Sequence, residues 1–117
     1  MLRRFGFVFL GLALSGLASL ADAGARADET GLTEDYLSDP ANIELGQELF
    51  RGQCAKCHGK GAYPGKAPKL NARKLSPEDI YLRVTYGFRR MPPWEHIYSD
   101  EERMAITAYM KSPHFSN

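Results

Sequence analysis

The sequence contains two cysteines, three positions apart in the segment Cys54-Ala55-Lys56-Cys57-His58. On a helix this spacing places the two thiols about one turn apart, where each can add to a vinyl group of one haem. The histidine that follows directly then brings its imidazole beneath the iron. Covalent attachment through both thiols keeps the haem bound when the iron is reduced. The segment therefore predicts a c-type haem attached through Cys54 and Cys57, with His58 as a ligand of the iron.

Three other interpretations of the cysteine pair are weaker. A thioredoxin-like redox pair would follow a strand in an α/β pattern, and the sequence shows no strand-like alternation of any length. A four-ligand zinc site needs two more ligands, and the other histidines, His96 and His114, are distant in sequence. A plain Cys54–Cys57 disulfide suits an exported protein and would leave a haem-free structural domain.

The first 23 residues have the pattern of a secretory signal peptide. Arg3 and Arg4 precede an apolar run of 16 residues, from 5 to 20, and three overlapping A-x-A sites follow between 21 and 27. A retained membrane anchor would need ~20 apolar residues, so cleavage after Ala23 is favoured. We therefore expect a periplasmic protein with no membrane span once the signal is removed.

After the signal peptide, the sequence predicts an acidic flexible leader, residues 24–39, and one domain, residues 40–117. The leader shows little apolar periodicity, whereas the domain contains three main helices with clear capping residues. The caps are Asp39-Pro40 for the first helix, Ser76-Pro77 and Gly87 for the second, and the Ser99–Glu102 capping box for the third. The predicted fold class is therefore all-α.

The segments around the cysteine motif resemble those of small class I c-type cytochromes, over roughly residues 41–111. Gly46 to Phe50 lies just before the motif, and Ile106 to Met110 resembles the C-terminal helix of that family. The resemblance implies a cytochrome c-like fold, with three main helices around one covalently bound haem. It also implies that the first and last helices cross closely at Gly46, with Tyr109 as the partner on the last helix.

The same resemblance suggests two further site residues. Ala67-Pro68-Lys69-Leu70 is similar to the family's loop in which a proline carbonyl accepts the N–H of the ligating histidine, which fixes the ring's orientation. Met91 lies between the last two helices, as the family's second iron ligand does. It precedes Pro92-Pro93, and a residue before proline is restricted to extended geometry. Pro68 and Met91 are therefore expected to complete the haem site.

From the residues alone, the second iron ligand has several candidates. Met104 and Met110 lie on the last helix, where methionine is ordinary packing, and His114 lies in the C-terminal tail. His96 shares the loop with Met91 and remains an alternative, as does an open iron site. Trp94, Tyr86, Phe88 and Tyr63 are expected to pack around the haem or on its loops.

A haem iron with histidine and methionine ligands has no position left for substrate and has a raised reduction potential. The predicted function is therefore a monohaem carrier of single electrons between redox proteins, with no catalytic residues. Two alternatives remain: a dedicated haem subunit of a periplasmic dehydrogenase, and an open-site haem enzyme or sensor.

Charge is distributed unevenly along the chain, although the net charge is only +1. Residues 24–50 have a net charge of −6, residues 51–90 of +8, and residues 91–117 of −2. The basic stretch should surround the haem and would attract a partner with an acidic docking face; alternatively, these are solvated charges balanced by the leader. Nucleic acid is an unsuitable partner for an exported, nearly neutral protein. We expect a monomer that forms transient complexes.

Overall fold

The computed structural model describes residues 30–60 and 65–115. Within these ranges every regular element is helical, apart from one isolated bridge between Phe88 and Met91. This confirms the predicted all-α class. No helix in the described part of the chain is long and apolar enough to cross a membrane. The predicted signal peptide, residues 24–29 of the predicted leader, and Tyr63 lie outside the described residues.

The described residues form five α-helices, joined in part by shorter helical turns. The α-helices are α1 Glu34–Ser38, α2 Pro40–Leu49, α3 Ala55–His58, α4 Pro77–Tyr86 and α5 Asp100–Lys111. A π-helical turn, Phe50–Cys54, joins α2 to α3, and a 3₁₀ turn, Ala72–Lys74, precedes α4. The predicted caps are confirmed, because Asp39, Ser76 and Ser99 each accept a hydrogen bond from a backbone N–H of the helix that follows.

Helices α2 and α5 cross at very short range. Gly46 of α2 is buried, and a Cβ atom there would collide with the Ala105 carbonyl oxygen and lie 2.9 Å from Cβ of Tyr109. Only glycine permits this approach, although it disfavours a helix interior by ~1 kcal/mol relative to alanine. The expected pairing of Gly46 with Tyr109 is confirmed.

An aromatic cluster forms the core beside this crossing. Phe50, Tyr109 and Phe115 meet pairwise edge to face, with ring centroids 5.3–5.6 Å apart. Phe115 is only 2% exposed, so the C-terminal tail is packed to that residue. Ile80 and Val84 of α4 face the same core, as their spacing predicts.

The predicted flexible leader needs correction at residues 30–39. These residues contain α1, capped by Thr33, and Leu32 is 5% exposed. The Tyr36 hydroxyl donates a hydrogen bond to the Glu101 carbonyl oxygen at 3.2 Å, which links the segment to α5. Two residues, Leu32 and Tyr36, are too few to give a periodic apolar pattern. Their packing depends on α5, which is distant in sequence, so the sequence of the leader alone does not predict it.

We expect Gly46→Ala to lower the free energy of unfolding of the haem-loaded protein by about 1–3 kcal/mol, because the added methyl group meets the backbone of α5. Denaturant unfolding measures this. Gly52→Ala is a matched control, since a Cβ there meets nothing within 4 Å. It should change stability by less than about 1 kcal/mol. Equal effects of the two substitutions would contradict the close crossing.

Candidate haem site

The cysteine motif lies on one continuous helical segment that extends α2. Cys54 ends the π-helical turn, Cys57 and His58 belong to α3, and Gly59, with φ of +75°, ends the segment. Both cysteines are free thiols; Cys54 is half-buried and Cys57 is exposed. Since the core holds Phe50 at the start of the turn, the position of the motif follows directly from the α2–α5 crossing.

The two sulfur atoms lie in different surroundings. Burial raises the pKa of the Cys54 thiol to about 11, and the nearby Cys57 acts in the same direction, while a backbone hydrogen bond opposes them.

His58 is half-buried at the end of α3. Its Nδ1 atom is buried and has no hydrogen-bond partner among the described residues. Burial lowers the pKa of the imidazole, and the Pro68 backbone acts in the opposite direction, as a hydrogen-bond acceptor would. The structure thus brings Pro68 to His58, although no hydrogen bond of ordinary geometry joins them. The neutral imidazole is the form that binds a metal.

The loop that contains Pro68 is fixed at both ends. The Ala67 N–H donates to the Cys57 carbonyl oxygen at 2.9 Å, and Gly65 lies so close to that carbonyl that a Cβ atom would collide with it. At the other end, the Lys111 ammonium donates to the carbonyl oxygens of Ala72 and Leu75 at 3.1 and 2.9 Å. The loop is thereby attached to the motif helix and to α5.

Met91 lies in a tight hairpin between α4 and α5. Phe88 and Met91 exchange two backbone hydrogen bonds of 3.1 and 2.9 Å, which leaves Arg89 and Arg90 at the tip. Met91 is partly buried and packs against the hydrophobic core, as Cys54 does. The chain after Met91 is held on α4 by the Trp94 N–H, which donates to the carbonyl oxygens of Val84 and Thr85.

The other candidate iron ligands have different surroundings. Met104 and Met110 are 8% and 7% exposed within α5. The His96 side chain is 87% exposed and lies 3.4 Å from the Glu95 carboxylate. His114 is exposed beside the end of α5. Of the five candidates, Met91 alone lies in a loop and packs, partly buried, against the core.

Residues 41–110, more than half of the chain, match the family model described as cytochrome c oxidase, cbb3-type, subunit III. The chain belongs to this family of c-type cytochromes. This confirms the resemblance to small class I cytochromes c and the cytochrome c-like fold. The cofactor is accordingly haem c, with one iron.

Individual proteins similar to this cytochrome agree with that family. Cytochrome c6 of Bryopsis maxima is 35% identical, over 59% of this chain and 89% of that protein. Quinohemoprotein alcohol dehydrogenase ADH-IIG of Pseudomonas putida is 34% identical, over 83% of this chain. The c-type cytochrome SorU of Sinorhizobium meliloti has 31% identity and a TM-score of 0.51, over 62% of this chain and 90% of that one.

The cytochrome is much shorter than several of its curated relatives. It spans 14% of the length of the alcohol dehydrogenase and between 28% and 45% of the length of the related bc1-complex and FixP subunits. A match of this extent establishes a shared haem domain. It does not assign the activities of those larger proteins to this cytochrome.

The described residues fit haem c. Two free thiols lie three positions apart on a helical segment, and the neighbouring imidazole has a buried Nδ1 atom that lacks a partner. A thioether sulfur, that of Met91, packs against the same core as Cys54. When bound, haem c supplies the iron that accepts and releases one electron.

Three of the four aromatic residues expected around the haem lie in the described ranges. Trp94 packs against the core, but Tyr86 and Phe88 are 64% and 43% exposed. Tyr98, which the sequence analysis did not single out, also packs against the core. It packs beside Trp94, with ring centroids 6.0 Å apart, and burial raises its pKa. Trp94 and Tyr98 are four residues apart, a spacing that can bring two side chains together within one turn, so the sequence did contain a signal for their contact.

We expect the Cys54→Ala/Cys57→Ala double variant, and separately His58→Ala, to prevent formation of the haem-loaded protein. The double variant lacks both attachment points, and so small a chain depends on its cofactor for a complete core. A pyridine haemochrome assay and a haem-stained denaturing gel measure attached haem. Lys56→Ala, a change within the same motif at an exposed side chain, should retain full loading. Covalent haem in the double variant would refute the attachment sites.

Proposed function

We propose that this cytochrome is an exported carrier that moves single electrons between redox proteins in the periplasm, with its haem iron bound by His58 and Met91. The observation that carries this proposal is the packing of Met91 and Cys54 against one hydrophobic core. That arrangement supports a haem held between the cysteine motif and the Met91 hairpin.

Each proposed site residue has a separate task. Cys54 and Cys57 anchor the haem through thioether bonds, and the His58 imidazole binds one face of the iron. The carbonyl of Pro68 would orient that imidazole by accepting its Nδ1–H, which gives the otherwise unpartnered Nδ1 atom a hydrogen bond. The Met91 sulfur binds the opposite face.

This ligand set favours a carrier over an enzyme. With nitrogen and sulfur on its two faces, the iron has no open position for oxygen, peroxide or an organic substrate. A thioether ligand also favours the reduced iron and so raises the potential. Trp94, Tyr98 and Leu70 pack against the same core and would shield a bound haem from water, which acts in the same direction.

The proposed domain division is a signal peptide, residues 1–23, a leader, residues 24–39, and the haem domain, residues 40–117. The part of the leader in α1 packs against α5, so the folded unit includes it. Export to the periplasm is proposed on the signal pattern of the first 23 residues.

The distribution of exposed charge supports docking of an acidic redox partner. Basic side chains are concentrated in the segments that flank the cysteine motif, Pro68 and Met91. The exposed members are Arg51, Lys56, Lys60, Lys66, Lys69, Arg73, Lys74, Arg89 and Arg90. Among the described residues none of them forms a salt bridge, whereas the acidic side chains of α1 and α2 lie in a separate part of the sequence. These uncompensated charges would steer an acidic partner toward the haem.

A second candidate function is that of a dedicated haem subunit of a dehydrogenase. The 34% identity to part of a quinohemoprotein alcohol dehydrogenase favours it, because that match covers 83% of this chain. Size-exclusion chromatography of the native protein separates the two functions. A free monomer supports the carrier, and a stable complex with a larger protein supports the subunit.

We expect Met91→Ala to lower the reduction potential by on the order of 100 mV or more, within the roughly 0.8 V range set by axial ligands. Loss of the sulfur also opens one face of the iron, so the variant should bind carbon monoxide in the reduced state. Redox titration and optical spectra measure both effects. His96→Ala is the control and should match the wild type; the opposite pattern would make His96 the ligand.

We expect electron transfer to an acidic partner to slow at least several-fold as ionic strength rises from about 0.01 to 0.5 M, because the Debye length falls from ~30 Å to a few ångströms. Stopped-flow kinetics measure the rate. Lys69→Gln should lower the rate at low salt and reduce its salt dependence. Rates that stay constant across this range would rule out electrostatic docking.

A further inference from the structure

We propose that Phe88, held by the guanidinium groups of Arg83 and Arg89, positions Met91 for binding to the iron. The three side chains are called the Phe88 clamp below. This inference rests on the proposed ligand role of Met91 and adds the positioning residues that hold the hairpin in place.

The hairpin needs support because its backbone is unfavourable. Arg89 has φ of +56° and is the only non-glycine residue with positive φ in the described ranges. An L-residue with a long side chain rarely adopts this conformation, which persists where surrounding contacts impose it. At the entrance to the hairpin, Gly87 has φ of +78°, and a Cβ there would lie 2.5 Å from the Met91 carbonyl oxygen.

The contacts that hold the turn involve Phe88. Cζ of Arg83 lies 4.2 Å from the centroid of the Phe88 ring, and Cζ of Arg89 lies 5.2 Å from it. Both distances are within the ~6 Å range of cation–π attraction. Arg83 belongs to the last turn of α4, so its contact ties the hairpin to that helix. The contact with Arg89 links the tip of the hairpin back to the same ring.

The core does not provide this support. Phe88 is 43% exposed and is absent from the buried cluster and from the partly buried side chains packed on it. Its backbone, however, pairs directly with Met91 through two hydrogen bonds. A displacement of Phe88 therefore displaces the backbone of Met91. The residues after Met91 are fixed separately, through the Trp94 N–H on α4, so the clamp holds the end that leads into Met91.

The test is a titration in which external imidazole competes with Met91 for the oxidised iron. Loss of the far-red methionine-to-iron band measures the displacement of Met91. We expect Arg83→Gln to bind imidazole about fivefold more tightly than the wild type, and Phe88→Leu about tenfold more tightly, from the usual strength of cation–π pairs. Arg83→Lys and Phe88→Tyr retain a cation and a ring, and should restore affinity close to that of the wild type.

Arg90→Gln is the matched control. Like Arg83→Gln it removes one guanidinium charge, here from the hairpin tip, but Arg90 makes no cation–π contact among the described residues. It should leave imidazole affinity within twofold of the wild type. If Phe88→Leu and Arg90→Gln are indistinguishable in a protein that shows methionine ligation, the clamp proposal is overturned.

A second measurement distinguishes failure of the clamp proposal from failure of the assignment of Met91 as the iron ligand. If Met91→Ala and the wild type bind imidazole equally, Met91 is not the ligand. Hydrogen exchange of the Met91 amide, which donates to the Phe88 carbonyl oxygen, then tests the clamp directly. We expect exchange at least fivefold faster in Phe88→Leu than in Arg90→Gln. Equal exchange in the two variants would overturn the clamp independently of the iron.

Discussion

The contact between α2 and α5 at Gly46 is the constraint on which the rest of the structure depends. Because no side chain separates the two backbones there, α5 can bring Tyr109 and Phe115 against Phe50 at the start of the π-helical turn. That turn leads directly into the cysteine motif, so the aromatic cluster sets where the thiols and His58 lie. The same α5 anchors the Pro68 loop through Lys111. One crossing thus positions the helical segment that contains the cysteine motif and one of the two loops proposed to enclose the haem.

The two loops proposed to enclose the haem are held by different interactions. The Pro68 loop is tied by hydrogen bonds to Cys57 and, through Lys111, to two backbone carbonyl groups. The Met91 hairpin combines a strained turn with an exposed ring held by guanidinium groups. Hydrogen bonds to partly buried backbone groups are costly to break, whereas an exposed cation–π contact is weak. We therefore expect the Pro68 loop beside His58 to be held firmly and the Met91 hairpin to be displaced more easily.

Electrostatics separates folding from recognition in this cytochrome. The basic side chains around the motif are exposed and form no salt bridges among the described residues, so they contribute little to stability. The role we propose for them is in the approach of a partner, which responds to the summed field and to its screening by salt. A chain of net charge +1 can therefore present a strongly basic face to one partner. The same separation leaves the docking surface free to vary without disturbing the core.

The sequence by itself determined the features that depend on neighbouring residues or on a simple steric rule. The motif from Cys54 to His58 and the caps Asp39, Ser76 and Ser99 are of this kind, whereas the close crossing at Gly46 was expected only from the resemblance to class I cytochromes c. Only the tertiary structure decided that Leu32 and Phe115 are buried, that Tyr98 lies near Cys54, and that Phe88 is held at the surface. A single apolar residue has no period, and whether it is buried depends on which distant segment the folded chain brings against it.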